Sequence, residues 1–109
     1  MTDKIVVMTS CAGEAEAEKL ARALVESRLA ACVNLVRGAR SIYRWKGEIE
    51  SAEEVLLVIK TSRECFADLR EAVEKLHPYE VPELIALPVV AGAESYLAWL
   101  DASLRGGQE

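Results

Sequence analysis

Of the side chains in this 109-residue chain that could do chemistry, one histidine and three cysteines come first. His77 is the sole imidazole, and Pro78 follows it directly at what reads as a helix end. Imidazole is a borderline donor that suits copper and zinc, and a cysteine or Glu80 would add to a ligand set. A histidine at a helix C-terminus also serves simply by donating to the last carbonyls. Cys11, Cys32 and Cys65 are odd in number and widely spaced, which fits a reducing cytoplasm better than a disulfide framework. Cys32 lies in an apolar strand and reads as a small core residue. Cys65 opens a helix, where the dipole can lower a thiol pKa, although space-filling is the plainer account. Cys11 falls just past the first strand, in a loop by this reading, and is the most accessible of the three. A Cys–His pair could act as nucleophile and base, but no third group is identifiable to orient His77. No glycine-rich phosphate loop follows a strand, and neither CxxC nor HExxH occurs. The chain is not expected to be an enzyme.

Four more residues are candidates for a binding cleft. Tyr79, Glu80 and Glu83 belong to HPYEVPE, an extended linker over His77–Glu83 stiffened by Pro78 and Pro82. They read first as solvated loop residues and second as the rim of a cleft between subunits. Trp45 stands beside Lys46-Gly47, and its type is more often used for packing than for ligand recognition.

The elements that must position these residues are dominated by one stretch, Arg28–Thr61. Cys32, Val33, Leu35, Val36, Ile42, Tyr43 and Trp45 give strand character going up. Ile49, Val55, Leu57, Val58 and Ile59 give it coming down, and Lys46-Gly47 is the turn between. Arms of roughly 14 residues at about 3.3 Å each make a hairpin on the order of 45 Å long. A compact chain of this length has a radius of gyration of about 13 Å, so its own protomer cannot cover that hairpin. Ile42, Tyr43 and Trp45 are not dressed for water, and burial by another subunit is the expectation. Gly38 predicts a bulge or bend in the first arm.

Before the hairpin, Lys4–Thr9 reads as a buried strand and Ser10–Gly13 as a break. From Glu14 the spacing of Ala17, Leu20, Ala21, Leu24 and Val25 is helical, with Arg28 in the last turn. After it, Thr61-Ser62-Arg63-Glu64 has capping-box spacing, and Phe66, Leu69, Val73 and Leu76 form one apolar stripe. Pro78 ends that helix. Leu84–Val90 is a fourth strand in which Pro88 implies an edge position or a bulge. A last helix spans about Ala93–Leu104. The order βαββαβ plus a terminal helix predicts an α+β, ferredoxin-like sandwich in one domain over residues 1–109.

Composition narrows the partners. A formal charge of −5 gives no basic face for nucleic acid. The first apolar run, Ile5–Met8, is far too short for a signal peptide or a membrane span.

RLAACVNLV, SIYRWKGEIE, VLLVIKT, LHPYEVPELIALPV and YLAWL together resemble the CutA divalent-cation-tolerance family, over roughly Ile5–Leu104. The resemblance implies a ferredoxin-like protomer, a tight homotrimer, and long hairpins packed across subunit boundaries. It also implies a cytoplasmic role in tolerance of copper and other divalent metal ions, with Cu(II) or a similar ion as ligand and no required cofactor. Some members carry a cysteine where this chain has Thr9, and a second histidine where it has Leu76. The metal candidates carried over are therefore His77 and, in place of the missing cysteine, Cys11.

Overall fold

Two long strands, β2 (Cys32–Trp45) and β3 (Glu48–Ser62), run antiparallel and meet at Lys46-Gly47. Both turn residues have positive φ, 49° and 83°, the two-residue geometry whose twist matches that of the flanking strands. The computed structural model describes residues 2–107, and its longest dimension of 47 Å is set by this hairpin. Its radius of gyration is 14.5 Å, so the arm protrudes as expected.

The order is β1 (Lys4–Cys11), α1 (Glu14–Glu26), β2, β3, α2 (Phe66–Leu76), β4 (Ile85–Pro88) and α3 (Glu94–Ala102). The strands form one antiparallel sheet in the order β2-β3-β1-β4, the ferredoxin-like arrangement. Pro88 lies on the edge strand β4, where its missing N–H costs no ladder bond to a further strand. Among the described residues no helix is long and apolar enough to cross a membrane.

Side chains alternate across the sheet, and the register assigns them. Ile5, Val7, Thr9 and Cys11 of β1 lie beside Thr61, Ile59, Leu57 and Val55 of β3. All eight are buried, with Ala17, Leu20, Leu24, Leu69 and Val73 of the two main helices in the same core. The opposite face carries Val6, Met8, Val36, Leu56, Val58, Ile85 and Leu87, half-buried or exposed. The chain by itself therefore leaves an apolar sheet face without a second layer.

Between Val36 and Ala39 the register shifts, and Gly38 takes φ 78°. Two residues of β2 there oppose one of β3, so the expected bulge is present. Its effect is on direction. Beyond it Ser41, Tyr43 and Trp45 share the face of Glu54, whereas an unbroken strand would have placed them on the other.

Several boundaries differ from the sequence-based expectation. The first strand runs two residues past Thr9, because Ser10 and Cys11 pair with Leu56 and Val55. Cys11 is thus a strand residue at 1% exposure, not an accessible loop residue. No capping box forms: Thr61 and Ser62 stay in β3, and the Thr61 hydroxyl donates to Leu29 O at 2.6 Å. Arg28 lies beyond α1 with φ 62°, in the left-handed position of a Schellman-type stop closed by Arg28 N–H to Val25 O and Leu29 N–H to Leu24 O. Leu76 ends the stripe of α2 but is exposed. β4 and α3 are each shorter than Leu84–Val90 and Ala93–Leu104.

One buried group has no partner among the described residues, the Thr9 hydroxyl. An unsatisfied buried hydroxyl costs stability that an apolar group of the same shape does not. Thr9→Val should therefore stabilise the fold by about 1 kcal/mol. Guanidinium unfolding is the check, and a destabilised variant would show that the hydroxyl is satisfied.

Candidate functional site

The residues singled out above converge where β1 ends, α2 ends and the hairpin begins to leave the core. Pro78 forces His77 out of the helix into extended backbone, ψ 132°, and this turns its ring towards the end of β1. His77 is buried, with Nε2 at 2.7 Å from Ser10 O and 3.8 Å from Cys11 Sγ. Its Nδ1 accepts from the Tyr79 N–H at 3.2 Å. A carbonyl can only accept, so Nε2 carries the hydrogen and the imidazole is held as one neutral tautomer. It does not donate to the last helical carbonyls. The two metal candidates named from the sequence, His77 and Cys11, are thus neighbours, with Cys11 buried rather than accessible.

Tyr79 stacks obliquely on His77, ring centroids 4.7 Å apart, and its hydroxyl donates to Glu54 Oε2 at 2.7 Å. Burial, and then the Glu54 carboxylate that accepts its hydrogen bond, push the Tyr79 pKa far above the ordinary tyrosine range. The Cys11 thiol is pushed up to about 11, first by burial and then by the carboxylates of Glu16 and Glu54. The thiol, not the thiolate, is therefore the form favoured at neutral pH.

Beside this cluster opens a cavity of about 720 Å³. The hairpin contributes Ser41, Ile42, Tyr43, Trp45, Glu50 and Glu54; the linker contributes Tyr79 to Glu83; β1 contributes Ser10. All four cleft candidates, Trp45, Tyr79, Glu80 and Glu83, line this one space. Among the described residues four carboxylates face it and no lysine, arginine or histidine does. Glu54 and Glu50 were missed from the sequence. Their spacing by four in a strand, in phase with Leu56 and Val58, was the available signal.

The donors do not fit a resident metal ion. Cys11 is protonated, both His77 nitrogens are engaged, and among the described residues no group of three His, Cys, Asp or Glu could hold an ion. What the arrangement offers is a negative, aromatic-walled cleft with an imidazole behind it.

A family model described as CutA1 divalent ion tolerance protein matches residues 5–103. The divalent-cation tolerance protein CutA of Thermus thermophilus is 52% identical over 95 residues, covering 87% of this chain and 92% of that protein. A solved structure of the divalent cation tolerance protein from Thermus thermophilus matches with a TM-score of 0.91 at 48% identity, over 94% of this chain and 99% of that one. The crystal structure of CutA from Xylella fastidiosa matches with a TM-score of 0.92 at 38% identity, over 95% of this chain and 100% of that one.

Proposed function

The chain belongs to the CutA1 divalent ion tolerance family, and from that premise we propose that it acts in the response to divalent metal ions as a cytoplasmic homotrimer, without catalysing a reaction. The observation that carries the metal part is the cleft whose four carboxylates are matched by no basic side chain in its lining among the described residues, with His77 directly behind it. Such a cleft concentrates cations. Binding is exchangeable: an ion reaching His77 must displace the Tyr79 N–H from Nδ1, and one reaching Cys11 must displace a tightly held proton. Trimer formation is supported by the open apolar sheet face and by Ile42 and Ile49, 71% and 65% exposed on the protruding arm. Three free cysteines, two of them buried, suit a reducing cytoplasm.

Cu(II) is expected to bind more tightly than Zn(II), with His77 the main side-chain contributor. Titration calorimetry on the folded protein and on His77→Ala is the test. A tenfold or larger loss of Cu(II) affinity in the variant is expected, and unchanged affinity would remove His77 from the site.

A second reading, a trimeric regulator or scaffold that binds a small molecule or partner protein, is favoured by the size of the cavity, which is that of an organic ligand rather than of an ion.

A further inference from the structure

We propose that Tyr79 is a latch on the imidazole, and that Nδ1 of His77 takes a ligand only when the bond from Tyr79 to Glu54 opens. The inference rests on the metal reading above and adds the regulation of that site. It starts from the ring itself. Nε2 donates to Ser10 O, and a ligating histidine gives its second N–H to a carbonyl in this way. The nitrogen left with a lone pair is therefore Nδ1, and the Tyr79 N–H occupies it at 3.2 Å. His77 is thus oriented as a ligand is, with its donor atom capped.

The cap is held from a distance. Pro78 and Pro82 have no N–H to give, and among the described residues Tyr79 makes the only hydrogen bonds of segment 78–83. One is the N–H on Nδ1. The other is the hydroxyl on Glu54 Oε2 at 2.7 Å, the shorter of the two and charge-assisted. Glu54 is a fixed anchor: it is 7% exposed and lies on β3, paired with Ala39 of β2. Glu80, Val81 and Glu83 are exposed, and Leu84 packs against the core at the far end. A segment pinned at its ends and tied once between them has few contacts to lose, which is what lets a region open locally. The Tyr79 ring, its centroid 4.7 Å from that of His77, screens the same imidazole and leaves with the segment.

Diethyl pyrocarbonate, which acylates the free lone pair of a neutral imidazole, reads the latch without any metal. The reaction is run on the full-length protein in EDTA and followed by peptide mass spectrometry at the one histidine. Tyr79→Phe keeps the ring and removes only the hydroxyl, and it should react at least tenfold faster than the parent. Glu54→Ala should do the same, and the double variant should react no faster than either, since one bond is involved. Leu100→Ala weakens the core near the start of β1, where Asp101 meets Lys4, and leaves the latch alone. It should react as the parent does, with thermal melting to rank the stabilities. Equal rates in the parent and Tyr79→Phe overturn the proposal. Equal acceleration by Leu100→Ala also overturns it, since that is what general loosening would give. In calorimetry Tyr79→Phe should bind Cu(II) more tightly than the parent. Affinity no higher than the parent's overturns the proposal where His77→Ala has lost binding. Where His77→Ala binds Cu(II) as the parent does, it is the metal reading that fails, and the acylation rates alone decide the latch.

Discussion

A protein in which Ser41 is joined to Ala52 through an Asn-Gly turn should elute as a monomer at micromolar concentration, where the parent should elute as a trimer. Ser41 and Ala52 are cross-strand partners, so the shortened hairpin keeps its register and changes only its reach. What it loses is the arm carrying Ile42, Tyr43, Trp45 and Ile49, apolar area that the protomer leaves in water. Burial of such area, with the open sheet face, is what would drive the proposed assembly. Trp45→Ala is the milder form of the same test. Against a neighbouring subunit it should cost about 3–5 kcal/mol per site. On a bare arm it should cost no more than about 0.5 kcal/mol. Gel filtration with light scattering decides the first variant, and an intact trimer without the arm would remove the hairpin from the interface.

Leu57→Ala is expected to destabilise each protomer by about 4 kcal/mol. Leu57 is fully buried in β3, with Thr9 on one side and Leu35 on the other. It belongs to the same buried cluster as Leu20, Leu24, Leu69 and Val73, so truncation should leave a cavity there. Where folding and assembly are coupled, the unfolding temperature should also become more sensitive to protein concentration. Guanidinium unfolding showing a loss below about 1 kcal/mol would place Leu57 outside the core.

Trp45 and Leu57 both belong to the part of the fold that could be read from the sequence. The strand character of both hairpin arms, the Lys46-Gly47 turn, the Gly38 bulge and the edge position of Pro88 each rest on local chemistry, and each is present. The misplacements have a common cause. Ser10 to Gly13 reads as a break because serine and glycine favour turns, yet pairing with Leu56 and Val55 keeps Ser10 and Cys11 in the strand. Thr61 has the spacing of a helix cap, yet its hydroxyl is taken by Leu29, 32 residues away. Tertiary contacts override local preference in both. The candidate site was legible only in pieces. His77 and the linker residues stand out by type and by the prolines around them. That Glu54 is buried, and that Tyr79 donates to it, depends on where the linker docks on the hairpin. No spacing within either segment encodes that.

The sheet order has a consequence for the order of events in synthesis. β1 leaves the ribosome first, but Lys4 waits for Ser62 and Ile5 for Pro88. Meanwhile β2 and β3, joined by two residues, can zip within microseconds of emerging. The hairpin is thus complete while its central neighbour still has one free edge. Closing the sheet requires contacts between distant parts of the chain, the kind that sets slow folding rates. Until β4 is made the chain therefore carries an apolar β1 with one edge unpaired, and the last strand made is the one that seals it.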